Sequence, residues 1–182
     1  MVTITARLSG ATTVVAADIS EFRIETARKN GCKHLFNPSK DNLLEKVKSL
    51  SENRGADVVI EITGVGQVFL DALKLARNQG RVMLLSSPHG SRVELDLYSD
   101  LHARSLRVMG AHTGTHPAVE SANNRWTVFN NRRLAMELMR DGLLDVKSLI
   151  THRFLHAKAP DAYGLLLAKD EKTLGIIFDW QG

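Results

Sequence analysis

Residues 12 to 18, TTVVAAD, decide the fold: six small or β-branched residues run from Thr12 to Ala17 and stop at Asp18. The run is too short for a helix and carries no polar face, which fits a strand buried on both sides in a parallel sheet. Beyond Asp18 the pattern turns helical. Ser20 is placed to cap a helix and Glu21 sits in its first turn. Phe22, Ile24, Ala27 and Arg28 recur at helical spacing until Asn30-Gly31 stops the pattern.

Outward from this unit the alternation repeats. His34 to Phe36 is a short strand, Pro38-Ser39 opens a new segment, and Leu43, Leu44, Val47 and Leu50 mark an amphipathic helix that ends at Asn53-Arg54-Gly55. Ala56 to Ile62 is a strand, Thr63-Gly64-Val65-Gly66 a glycine turn, Val68 to Ala76 a helix closed near Asn78-Gln79-Gly80, and Arg81 to Leu85 another strand. Each parallel pair needs a crossover that covers the sheet face, so this rhythm predicts an α/β, doubly wound parallel sheet. Past Ser86-Ser87-Pro88-His89-Gly90 it loosens. A strand over Leu106 to Ala111, a polar stretch from Thr113 to Arg125 and a helix from Val128 to Met139 come next. Then come a strand over Ser148 to Phe154, a helix over Pro160 to Ala168 and a last apolar run, Gly175 to Phe178.

A chain of 182 residues supports one main domain, and 43% hydrophobic with 24% charged residues is an ordinary globular composition. The formal charge of +4 raises nucleic acid as a partner, but the basic residues are scattered along helix faces without a reading motif, so no nucleic-acid binding is expected. The single cysteine, Cys32, allows neither an intrachain disulfide nor a cysteine-cluster zinc site. No signal pattern and no membrane-length apolar run is present, and the expectation is a soluble, cytoplasmic protein without membrane contact.

Asp18 is the first informative side chain. In doubly wound folds that hold dinucleotides, an acid at the tip of the second strand accepts hydrogen bonds from both adenosine ribose hydroxyls and repels a 2′-phosphate. An aspartate after a strand also serves as a turn former or cap. Thr63-Gly64 and Ser86-Ser87 end the next two long strands, at the edge where open α/β sheets bind ligands. Gly64 and Gly66 are equally suited to a tight strand-to-helix turn.

VVAADISEFRIETARKNGCKHLFNP (14–38), GADVVIEITG (55–64) and QGRVMLLS (79–86) resemble the coenzyme domain of medium-chain zinc-dependent alcohol and polyol dehydrogenases, the sorbitol and threonine dehydrogenase group. ITHRF (150–154) and PDAYGLLL (160–167) resemble the segment that returns to that family's catalytic domain. The resemblance implies a Rossmann-like sheet, with residues 1–145 a partial dinucleotide-binding domain and residues 146–182 the returning segment. It implies NAD as cofactor, bound weakly or lost in this fragment, and zinc in intact relatives only, with Asp18 on the adenine ribose and Arg23 flanking the adenosine; otherwise Arg23 reads as a solvent-facing helix residue. It puts Thr63 and Gly64 along the cofactor groove and Ser86 and Ser87 near the nicotinamide.

The family's glycine fingerprint should lie just before a strand such as 12–17, yet residues 1–11 carry only Gly10 and match the end of the fingerprint helix. The first strand and glycine loop are therefore expected to be missing, as are the family's zinc ligands, and no catalytic or metal-binding residue is assigned. His112 and His116 stand four apart, but glycine and proline around them predict a loop rather than a metal-binding helix face. A missing central strand would expose two strand edges. The chain would then close the gap with its N-terminal segment, pair with a second copy as a homo-oligomer, or be marginally stable. The reading is thus a partial NAD(P)-binding domain, inactive by itself, of an oxidoreductase acting on alcohols or polyols. The alternatives are a non-catalytic nucleotide-binding or oligomerisation module, and a methyltransferase-like fold, against which ITHRF and PDAYGLLL speak.

Overall fold

The computed structural model describes residues 1–181, which divide into two compact units: residues 1–41 with 129–181, and residues 42–128. In the first unit α1 (Val2–Leu8) is followed by β1 (Val15–Ala17), α2 (Glu21–Lys29) and β2 (His34–Phe36), and β1 pairs with β2 in parallel. Helix α2 starts where its cap predicts: Ser20 Oγ accepts from the Arg23 amide at 3.4 Å, Glu21 occupies the first turn, and Arg28 and Lys29 sit in the last. Its apolar face buries Ile24. The chain leaves the helix through Gly31 at φ +81°, whose carbonyl accepts from Arg7 Nη1 of α1 at 2.8 Å.

The second unit holds α3 (Leu43–Ser49), β3 (Ala56–Glu61), α4 (Gly66–Leu75), β4 (Ala76–Leu84) and β5 (Arg107–Gly110). Its three strands form one parallel sheet in the order β3-β4-β5. The dry core lies between α4 and β4, where Ala72, Leu73, Ala76 and Val82 are buried and Val59, Phe69, Leu70, Leu95, Leu101 and Leu106 pack around them. Between β4 and β5 the chain forms a π-helical segment, Leu97–His102, whose N-cap Asp96 accepts from the Tyr98 and Ser99 amides. The first unit resumes with α5 (Val128–Arg140), closed by Gly142 at φ +72°, then β6 (Ile150–Leu155), α6 (Ala159–Leu167) and β7 (Gly175–Asp179), with β6 and β7 parallel.

Strand and helix alternate and every strand pair is parallel, as expected, but the strands are spread over three sheets. Among the described residues β1 pairs with β2 alone and β3 with β4 alone. Residues 2–8 are helical, in keeping with their match to the end of the fingerprint helix, and a helix uses its backbone hydrogen bonds internally, so α1 adds no strand to either sheet edge.

Candidate functional site

At the carboxyl tip of β1, the Asp18 amide donates to Phe36 O at 3.3 Å, so the ladder with β2 runs on to this residue. Its Oδ1 accepts from the Ser20 amide at 2.9 Å, the turn-forming role, while Oδ2 stands 3.9 Å from Arg23 Nη1. The Asp18 side chain keeps 32% of its surface exposed and that of Arg23 52%. A carboxylate with one oxygen engaged at full strength and the other in a long ion pair retains acceptor capacity for a ligand hydroxyl. The reading of Arg23 as a flank and the reading of it as an open helix residue are both compatible with this geometry.

The neighbouring strand tip is held by a residue the sequence did not single out. Asn37, buried after β2, donates from Nδ2 to Ile19 O at 3.2 Å and to Glu21 Oε1 at 2.8 Å, and its Oδ1 accepts from the Ser39 amide. Lys40 Nζ donates to the same Glu21 oxygen at 2.6 Å. The hydrogen bonds from Lys40, then Asn37, hold the Glu21 carboxyl below its ordinary pKa.

In the second unit, Thr63, Gly64, Ser86 and Ser87 converge at the carboxyl ends of β3 and β4. Glu61, 3% exposed, points its carboxylate into the turn that leaves β3. There Oε1 accepts from the Thr63 amide and Thr63 hydroxyl at 2.5 Å each and from the Gly64 amide at 3.1 Å. Its backbone carbonyl accepts from the Leu85 amide at 2.9 Å and the Ser86 amide at 3.4 Å, tying the tip of β4 to the same point. Gly64 has φ +74°, and a Cβ there would lie 2.9 Å from Ser86 Oγ and 3.2 Å from Ser87 O. Ser91 Oγ donates back to Gly64 O at 3.1 Å, and a Cβ on Gly66 would meet Val93 Cγ1 at 2.6 Å. Both glycines thus answer to the close packing of residues 86–93 over the turn, as a tight strand-to-helix connection requires.

Asp18 and Arg23 therefore meet in one unit and the four small residues in the other. Glu61 was legible only as an acid inside an apolar strand, ADVVIEI, a conflict that signals a buried hydrogen-bonded group. Asn37 left no such signal. Among the described residues no group of three or more His, Cys, Asp or Glu side chains is placed to hold a metal ion. His112 instead accepts from the Gly114 amide through Nδ1 at 3.1 Å and caps the short turn Thr113–Thr115, the loop its neighbours predict. No helix among the described residues is long and apolar enough to cross a membrane.

Residues 1–127 match the sequence profile of the family described as zinc-binding dehydrogenase. An L-threonine 3-dehydrogenase of Symbiobacterium thermophilum is 36% identical over 149 residues, covering 81% of this chain and 39% of that protein. A sorbitol dehydrogenase of Bacillus subtilis is 24% identical over 86% of this chain and 40% of its own length. A dehydrogenase structure from Sinorhizobium meliloti 1021, solved bound to NADP, superposes with a TM-score of 0.72 at 29% identity, over 88% of this chain and 43% of that one. An Escherichia coli oxidoreductase of unknown specificity gives 0.81 at 20% identity over 98% and 47%, a likeness of fold. The chain spans two fifths of the curated relatives it matches. Parallel strands, crossover helices and strand tips thus meet a family match over most of the sequence, and the chain belongs to the zinc-binding dehydrogenase family, as part of its Rossmann-type half.

Proposed function

We propose that this chain binds a nicotinamide dinucleotide and prefers NAD, with Asp18 and Arg23 at the adenosine end and Thr63, Gly64, Ser86 and Ser87 along the groove. In this reading residues 1–145 are a partial dinucleotide-binding domain, and residues 146–182 the segment that returns to a catalytic domain. In the longer protein the reaction is hydride transfer between an alcohol or polyol carbon and the nicotinamide. The cofactor supplies that chemistry; this chain's residues bind and orient it. The observation that carries the reading is the Asp18 carboxylate at the tip of a parallel strand, part-exposed, with Oδ2 held only by a 3.9 Å ion pair. A ribose diol donates two hydrogen bonds to such a group, while a 2′-phosphate meets its charge.

The rival is NADP, favoured by the Arg23 guanidinium beside the carboxylate and by the NADP held in the Sinorhizobium relative. Fluorescence titration of the chain with NADH and NADPH separates the two. NADH should bind at least ~10-fold more tightly, a difference of ~1.4 kcal/mol, and Asp18→Ala should erase that preference. Equal or tighter NADPH binding by the unaltered chain would overturn the NAD assignment, and binding of neither would overturn the cofactor reading.

A further inference from the structure

The amino ends of β3, β4 and β5, far along the strands from Thr63 and Ser86, carry a second arrangement of side chains that the dinucleotide reading does not use. Lys48, Arg54, Lys74, Arg77 and Arg104 line a cleft of about 610 Å³, with Asn53 and Asn78 among its walls. A smaller cleft of about 320 Å³ adjoins it through Arg77 and adds Arg81 and Arg107. Only two carboxylates answer these cations among the described residues: Asp57 pairs with Arg77 at 2.5 Å and Asp71 with Lys74 at 3.3 Å. The side chains of Lys48, Arg54, Arg81 and Arg107 take no acceptor among the described residues, and all four residues are exposed.

The walls are built rather than loose. Arg104 donates through Nη1 to Leu73 O at 2.8 Å and through Nη2 to Ala76 O, which fixes its guanidinium against the end of α4. Arg77 commits Nε to Asp57 and Nη1 to Asn78 O, so Nη2 takes no acceptor among the described residues. Gly55, at φ +94°, lies flush against the backbone of Leu75 to Arg77, where a Cβ would come 2.9 Å from Leu75 O. At Gly80 a Cβ would come 2.7 Å from Arg77 O. The Arg77 hydrogen bond draws the Asp57 carboxyl below its ordinary pKa, and Arg54 and Arg81 pull in the same direction, so the positive field spans both clefts.

We propose that these joined clefts bind a compact anion carrying several phosphate groups, held by guanidinium forks and lysines. The forks match phosphate oxygens in pairs, and lysine adds charge. Among the described residues no aromatic or large apolar side chain lines either cleft to stack a base or receive a peptide side chain, which favours an oligophosphate over a nucleic acid or an acidic peptide.

Isothermal titration of the full chain with inorganic triphosphate at low and moderate salt tests this. Binding should appear at low salt and weaken as salt rises, because neutralised phosphates release counterions. The double variant Arg54→Gln/Arg81→Gln should bind ~10-fold or more weakly while keeping its unfolding midpoint and its NADH affinity. A second pair, Lys48→Gln/Arg107→Gln, carries the test should the first fail to fold. Absence of binding at low salt, unchanged affinity in a folded double variant, displacement of triphosphate by NADH, or equal affinity for poly-glutamate would each overturn the proposal.

Discussion

Asp18 and Glu61 are both acids at the carboxyl ends of parallel strands, one after β1 and one closing β3, and their surroundings give them different work. Asp18 is a third exposed, ties one oxygen to the Ser20 amide and holds the other in a long ion pair. Glu61 is buried, and a single oxygen gathers the Thr63 amide, the Thr63 hydroxyl and the Gly64 amide. The first retains capacity toward a ligand. The second is buried and turned into the protein, and its effect on any ligand passes through the turn it holds. Position at a strand tip is therefore insufficient to mark a ligand-binding acid; exposure, and the number of donors the protein already supplies, separate the two.

Alanine at each position sharpens the contrast most. Glu61→Ala removes the acceptor for three donors and leaves a small void, and should cost ~3 kcal/mol in urea unfolding. Asp18→Ala removes one local bond and a screened ion pair, and should cost less than ~1 kcal/mol. Similar losses at both sites would break the distinction between a structural and a ligand-directed carboxylate.

Much of this was legible along the chain. TTVVAAD, the Ser20 cap and the ADVVIEI strand are local signals, and the structure forms elements within them, although β1 takes only Val15–Ala17 of the first run and none of those three residues is buried as a strand covered on both faces would be. The turn signature at Asn78-Gln79-Gly80 predicts a strand that starts at Arg81, yet β4 begins at Ala76. The reason is a register shift between Ala56 and Val58: the strand bulges through Gln79 at φ +59°, so a turn signature sits inside a paired segment. The candidate residues at each tip were likewise legible as strand-end positions. Glu61 was legible only as an acid within an apolar strand, its partners lying in the adjoining turn at residues 63–64, and Asn37 was not, because Ile19 and Glu21 reach it only through strand ends brought together in space. The paired basic clefts are a product of the same assembly, since their residues are scattered from Lys48 to Arg107 in the sequence.

Two glycines with the same backbone twist offer a finer division between packing and backbone. Gly64 has φ +74° with Ser86 Oγ 2.9 Å from where a Cβ would stand, whereas Gly90 has φ +73° and open space around it. Alanine at Gly90 bears the left-handed conformation alone, ~1 kcal/mol. At Gly64 the same substitution must also displace Ser86 and Ser87, and should cost ~2 kcal/mol by thermal unfolding. Equal costs would mean that the contact with Ser86 and Ser87 yields freely and that the turn beneath the proposed groove is looser than its hydrogen bonds imply.

The smallest effect concerns acidity beside Asp18. Glu21 accepts from Lys40 and Asn37, and its folded pKa is lowered while the unfolded chain keeps the ordinary value. A lowered folded pKa gives a contribution to stability that is present above the unfolded pKa and is lost as pH falls through the folded one. The Glu21 carboxyl, followed by NMR, should therefore titrate below a free glutamate, and Lys40→Met should move its midpoint upward because the charged donor is gone. In the same titration Asn37→Ala should move it upward by less, since an amide donor stabilises the carboxylate without a charge of its own. If Lys40→Met leaves the midpoint in place, the Lys40 contact at 2.6 Å contributes nothing in solution. The network that braces the tips of β1 and β2 would then rest on Asn37 alone.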